Sequence, residues 1–278
     1  MQRTLEYIRD NTGNIDLKSS ENDRIFVEAS TYFPDKDNLF FPFAESFSWS
    51  DGDQRYYTPT FRHLRREIDN LEAYTIFPNT LRTPQKPTND RQLSSTGDNL
   101  ASLFKFMTSG RRSAASSRSE ILDAMKLVLP NLENIQIQSI GGLMVPIFRM
   151  KEKNDRIHKF NVSQVSDGTL RVLGLLTALH QPFAPSTIAL EEPEQNINPA
   201  ILQILAETVK GVAQRHQVLI TTHSPELIDY FDEDSIFAVE YDDGLTKVGE
   251  IAAYQRDAVK DKLTTLGELM TIEGLVTG

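Results

Sequence analysis

The sequence predicts an α/β fold, a mostly parallel sheet flanked by helices, with a helical insertion ahead of it. Three observations carry this. From about residue 160 short apolar runs alternate with amphipathic stretches, the rhythm of β–α–β units. The segments TIAL (187–190) and QVLITT (217–222) are almost unbroken apolar runs, as expected of strands covered on both faces. Between them Pro199 supplies a fixed φ suited to a first helical turn.

The elements follow in order. RIFVEAS (24–30) alternates like a strand. Segment 60–71 spaces Phe61, Leu64, Ile68 and Leu71 along one helical stripe. The three prolines of PNTLRTPQKPTND (78–90) predict a loop. Ser95 or Asp98 then caps a helix that buries Leu100, Leu103, Phe104 and Met107. SGRRSAASS (109–117) is small, polar and basic, and is expected to be a mobile loop. A second helix is expected over 117–130, with Ser119 as cap and Pro130 as stop. IQIQSI (135–140) and LMVPIFRM (143–150) form a hairpin around Gly141-Gly142. A helix from Ser166 to about Leu179, the two apolar strands, a short helix over 226–231 and a strand over 235–241 complete the chain. The change of pattern divides it into a middle region with its helical and loop insertion, 1–158, and a C-terminal subdomain, 159–278.

Hydrophobic residues make up 39% and charged residues 24%, ordinary values for a folded domain. No apolar run approaches the roughly 18–20 residues that span a bilayer, so no membrane partner is expected. The first ten residues, MQRTLEYIRD, lack the apolar core of a secretory signal. With no cysteine, disulfides, thiolate metal sites and cysteine nucleophiles are excluded, and a cytoplasmic location is expected. The net charge of −10 argues against the whole surface binding nucleic acid. Two local basic segments, Arg62/Arg65/Arg66 and Arg111/Arg112/Arg118, read either as solvated faces or as a phosphate-contacting face.

Three motifs carry chemistry. TIALEEPE (187–194) places Glu191 and Glu192 at the end of a core strand, where ligands of parallel sheets bind. Adjacent carboxylates repel unless a cation is present, and a nucleotide-borne Mg²⁺ meets that need. Glu191 then holds the metal or its water shell, and Glu192 orients and polarises an attacking water. The alternative is a strand ending in a solvated acidic turn. VLITTHSPELID (218–229) ends a second strand at His223, which either hydrogen-bonds a γ-phosphate or closes a strand-to-helix turn with Ser224 and Pro225. QVSDGTLRVLGLL (164–176) opens an apolar helix at Ser166-Asp167-Gly168. Its free N–H groups suit an anion and its glycine admits close approach; the alternative is an ordinary N-cap.

Their order, with gaps of about two dozen and about thirty residues, resembles the ABC-type ATPases of the RecF/SMC-like group. Within it the chain looks most like bacterial AAA family ATPases related to OLD-type and defence-system ATPases. The resemblance implies that VSDGTLR is the signature motif, with Ser166, Asp167 and Gly168 binding nucleotide. TIALEEPE is then the Walker B motif with metal-binding Glu191 and catalytic Glu192, EQNINP the D-loop region, and TTHSP the switch loop with catalytic His223. YTIFPNTLRTP and LSSTGDNLASLF resemble the family's middle region more loosely. ATP and Mg²⁺ are the implied cofactors. The implied partner is a second ATPase protomer, either a homodimer mate or a P-loop-bearing chain, with DNA as a further candidate.

Two features depart from the family. Glu191 stands where many members have Asp. More seriously, no G-x-x-x-x-G-K-[ST] occurs, and the glycines at 13, 52, 97, 110, 141 and 142 are not followed by Lys-Ser or Lys-Thr. The resemblance places that motif and the first strands before residue 1, so the P-loop NTPase fold is expected to be incomplete at the N-terminus. Truncation, a split gene and degeneration all give this pattern; the abrupt start favours a missing segment. The expected function is ATP binding and Mg²⁺-dependent hydrolysis, in DNA repair and recombination or in anti-phage defence, with a P-loop supplied from elsewhere. The alternative is a catalytically incompetent interaction module for DNA or a partner protein. A nuclease of the OLD type needs further acidic motifs, for which the about fifty residues after His223 leave no room.

Overall fold

The computed structural model describes residues 5–9, 15–19, 24–27, 48–51, 54–57, 70–109 and 112–278. The chain forms two compact units, Met1–Asn70 and Leu71–Gly278. In the first, β1 (Leu5–Arg9), β2 (Ile15–Ser19) and β3 (Arg24–Val27) form an antiparallel sheet in that order, and β4 (Ser48–Asp51) pairs with β5 (Gln54–Tyr57). The strand expected at 24–30 is thus present over its first four residues. The helix expected over 60–71 lies outside the described residues up to 69, and its last residue, Leu71, opens a strand.

The second unit begins with β6 (Leu71–Tyr74) and a short helix, α1 (Pro78–Arg82). This corrects the loop reading of 78–90 over its first five residues; 83–90 is irregular as expected, apart from a bridge from Gln85 to Met144. Pro78 occupies the first helical turn, where its missing N–H costs nothing, and the helix stops at Thr83 ahead of Pro84. Helix α2 (Leu100–Ser109) buries Leu100, Leu103, Phe104 and Met107 as expected. Helix α3 (Arg112–Val128) corrects the mobile-loop reading of 109–117, of which all but Gly110 and Arg111 are described and helical. Ala114 joins Ile121 and Met125 on one buried stripe, so burial extends the helix through the serine-rich stretch. Ser119 is not a cap but lies inside the helix, donating to Asp123 at 3.3 Å.

An antiparallel sheet follows, β7 (Leu132–Ile140), β8 (Leu143–Lys151) and β9 (Ile157–Asn161). The β7–β8 turn puts Gly141 and Gly142 at φ 58° and 83°, the left-handed pair a tight hairpin requires. Helix α4 (Asp167–His180) is then buried from Thr169 through Leu179, against α1, α3 and α5 (Pro199–Ala213). A helix apolar on every side belongs in a core, and each buried leucine such as Leu170, Leu173 or Leu176 contributes about 1.5–3 kcal/mol.

Strand β10 (Thr187–Glu191) pairs in parallel with β6 on one side and with β11 (Gln217–Thr221) on the other. This is the parallel sheet flanked by helices that defines the α/β fold, in the order β11-β10-β6. One expectation fails here. Strand β11 is not covered on both faces: Val218 and Ile220 are half-buried and Leu219 is 47% exposed, because among the described residues the strand lies at the sheet edge. After α6 (Pro225–Ile228), strand β12 (Phe237–Asp242) does not join the parallel sheet. It pairs antiparallel with β13 (Leu245–Glu250) across Asp243-Gly244, at φ 47° and 82°. Helices α7 (Ala253–Lys260) and α8 (Leu266–Ile272) close the chain over a small core of Ile228, Ala238, Ile251 and Leu266. No helix among the described residues is long and apolar enough to cross a membrane.

Candidate functional site

Parallel pairing brings the carboxyl ends of β6, β10 and β11 to one edge. The register sets Glu191 opposite Thr221 and Leu190 opposite Tyr74, so Thr75, Glu191 and the Thr221–His223 segment leave the sheet side by side. Tyr74 anchors β6 below this edge. Its buried hydroxyl accepts from Gln181 Nε2 at 2.7 Å, and burial pushes its pKa up to about 12 despite that hydrogen bond.

Thr75 Oγ1 donates to Glu191 Oε2 at 3.3 Å. The Glu192 amide donates to Thr221 O at 2.9 Å, binding the acidic turn to β11. Glu192 has φ 40°, in the left-handed region, where a glutamate is strained. Its carboxylate accepts from Gln195 Nε2 and lies 3.8 Å from His223 Nε2. The two glutamates and the histidine picked out from the sequence are therefore assembled in one place, with His223 largely exposed.

Ser166, Asp167 and Gly168 sit at the start of α4. The Ser166 hydroxyl accepts from Thr169 N at 3.2 Å, so the N-cap reading holds. Asp167 pairs with Arg82 at 2.7 Å, and Arg82 also donates to Val165 O at 2.8 Å and Val162 O at 3.3 Å. Gly168 has a contact of its own inside the protein: a Cβ there would lie 2.5 Å from Asn196 O. Helix α4 is thus packed directly on the turn that follows the acid pair. Ser166 and Asp167 themselves are exposed.

Several residues that touch the site were not singled out from the sequence. Arg171 is 2% exposed; it donates to Ile76 O at 2.8 Å and Glu192 O at 2.9 Å. Glu194 Oε1 accepts from Thr222 Oγ1 at 2.7 Å and from the His223 amide at 3.2 Å. An arginine inside the apolar run TLRVLGLL is the one sequence signal that marks the first of these. Of the basic segments, Arg62, Arg65, Arg66 and Arg111 lie outside the described residues. Arg118 faces inward, to Asn134 Oδ1 at 2.6 Å and Ile135 O at 3.0 Å.

Among the described residues no three His, Cys, Asp or Glu side chains gather to hold a metal. What the strand ends offer is the Glu191 carboxylate with the Thr75 hydroxyl beside it. Such a sparse oxygen set fits Mg²⁺, which is commonly held by one or two carboxylates together with substrate phosphates and water.

A family model described as "AAA domain, putative AbiEii toxin, Type IV TA system" matches residues 4–229. No curated protein matches the chain. Among solved structures, an SMC head bound to the C-winged helix domain of ScpA is 9% identical, with a TM-score of 0.48, covering 93% of this chain and 70% of its own. The SMC head domain from Thermotoga maritima is 8% identical, with a TM-score of 0.38 and coverage of 89% and 73%. A structure from work on ATP-driven dimerization and DNA-stimulated activation of SMC ATPases is 13% identical, with a TM-score of 0.39 and coverage of 53% and 93%.

Proposed function

The chain belongs to this AAA-domain family, and we propose that it forms one side of an ABC-type ATPase site that binds ATP and hydrolyses it with Mg²⁺. The observation that carries the proposal is the meeting of Glu191, Glu192 and His223 at the carboxyl edge of the parallel sheet, with Glu192 and His223 3.8 Å apart. Glu191, with Thr75 beside it, would hold Mg²⁺, which supplies charge neutralisation of the phosphates. Glu192 orients a water and takes its proton. Gln195, donating to the same carboxylate, holds it in place. His223, exposed next to Glu192, donates to the γ-phosphate.

No G-x-x-x-x-G-K-[ST] occurs in the sequence, so the grip on the β-phosphate comes from residues outside it. Among the described residues β11 is an edge strand, which supports this. A strand added in parallel there would end beside Glu192 and His223, and Leu219 offers it apolar surface. The exposed start of α4, with Ser166 and Asp167, faces the P-loop of a second protomer in the same scheme.

The test is ATP turnover by the chain alone and together with a P-loop-bearing polypeptide. Alone, turnover stays at background; robust Mg²⁺-dependent hydrolysis by the isolated chain would sink the half-site reading. In the completed assembly Glu192→Gln lowers kcat by about 10²–10⁴-fold, the range for loss of a general base. If biological activity survives that substitution unchanged, hydrolysis is not the function and the chain serves as an interaction module.

A further inference from the structure

Two side chains of opposite type, Arg171 and Glu194, hold the acidic turn without a part in the chemistry above. Arg171 stands in the second turn of α4, which is buried from Thr169 through Leu179. Burying a guanidinium is costly unless it is well paired. Burial lowers its pKa, and Glu194 and then Glu192 oppose that, so the group stays charged. Its fork is spent on main-chain carbonyls. Nη1 donates to Ile76 O, just past β6, at 2.8 Å, and Nη2 donates to Glu192 O at 2.9 Å, with Glu191 O at 3.5 Å.

Glu194 is the opposite charge in the same place. Its Oε1 accepts from the Thr222 hydroxyl and from the His223 amide, the two residues that follow β11. Arg171 Nε and Glu194 Oε2 are both buried without a hydrogen-bond partner among the described residues. The contacts actually made hold loops: Arg171 fixes the exits of β6 and β10, and Glu194 fixes the exit of β11.

We propose that Arg171 and Glu194 are positioning residues, the first aiming Glu192 through its main-chain carbonyl and the second aiming His223 through its amide. The purpose assigned to the pair rests on the reading that Glu192 and His223 do the chemistry; the contacts themselves are testable without it. The cation comes from the helix that begins at Ser166-Asp167-Gly168, so a shift of that helix would reach the acid pair through the hydrogen bond from Arg171 to Glu192 O.

Amide hydrogen exchange by NMR on the full chain, without nucleotide, tests this. Glu194→Ala should speed exchange of the His223 amide by about tenfold, and Glu194→Gln, which keeps the acceptor, should restore it. Arg171→Ala should speed exchange at Gln195 and Ile197, whose amides bond to Glu192 O and Glu194 O, by about tenfold, with partial rescue by Arg171→Lys. Amides of α5 such as Leu205 and Val209 should change far less. Should Arg171→Ala fail to fold, Arg171→Lys carries the measurement, because one ammonium cannot reach both carbonyls. Unchanged exchange at the loop amides, or acceleration equal to that in α5, would overturn the proposal. Glu192→Gln separates the two ideas: it should leave these exchange patterns as in the wild type while removing turnover in the completed assembly.

Discussion

Gly168 answers two demands that the sequence presents as one. A glycine in the first turn of a helix reads as room for a phosphate, yet in the structure its missing side chain makes room for Asn196 O, 2.5 Å from where a Cβ would stand. Alanine is ordinarily the better helix former by up to about 1 kcal/mol. Here the clash is with backbone, which yields little, and overpacking of this kind costs about 1–3 kcal/mol. Gly168→Ala is therefore expected to lower the thermal midpoint, measured by circular dichroism; an unchanged or raised midpoint would show that the turn moves freely. The acid pair and His223 were legible because polar groups at the ends of apolar strands stand out. Arg171 and Glu194 were not, since an arginine within a leucine-rich helix and a third glutamate after the pair look ordinary until the carbonyls and amides they bind are known.

At the scale of elements, α4 shows how capping and burial decide where a helix starts and ends. Ser166 caps it, and His180 occupies its last turn, where Nδ1 meets Glu120 Oε2 at 2.9 Å. Burial lowers the His180 pKa below its ordinary 6.5, and Glu120 only partly opposes this. At neutral pH the contact is thus a hydrogen bond from a neutral imidazole, not an ion pair. The unfolded chain binds the proton more readily than the folded one. The stability that follows is fully present above pH 6.5 and is lost as pH falls through the lowered folded value. Urea midpoints at pH 7.5, 6.5 and 5.5 should fall in the wild type and fall less in His180→Gln; parallel curves would exclude His180 as the cause. The same balance explains the two misread segments, 78–82 and 112–117. Prolines over 78–90 and serines over 109–117 look like breakers, but Pro78 starts a helix, and Ala114 ties the serine-rich stretch to a buried stripe. Local composition gave no view of that burial.

For the molecule as a whole, strand–helix alternation was enough to indicate a parallel sheet, and two of its three described strands, β10 and β11, run as expected; the third, β6, was not foreseen, and the strand expected over 235–241 pairs elsewhere. What pairs beside them was not legible, because an apolar strand reads alike at an edge and at a centre. The β12–β13 hairpin makes the same point: Asp243-Gly244 turns the chain back, and Phe237, Val239, Tyr241 and Val248 are left 62%, 66%, 78% and 65% exposed on one face. Apolar patches of this kind promote association. Val239→Lys with Tyr241→Lys should raise solubility, followed by light scattering against concentration. Exposed substitutions of this type usually change stability by no more than about 0.5 kcal/mol. A large fall in stability instead would mean that the face is needed by the fold itself.

Glu192 gives the site one more property. Its backbone adopts φ 40°, a conformation that suits glycine, whereas the same turn places an asparagine, Asn196, at its other left-handed position, φ 60°. Side chains held in such regions forgo about 1–3 kcal/mol of folding free energy. On the proposed function, position 192 sets durability against reactivity: Glu192→Gly would relax the turn and yield a chain that withstands heating better, at the loss of the carboxylate beside the His223 imidazole that is proposed to work on water. Screens for thermal resistance alone would favour that inert variant, so a gain in melting temperature from changes in this turn is a warning of lost turnover.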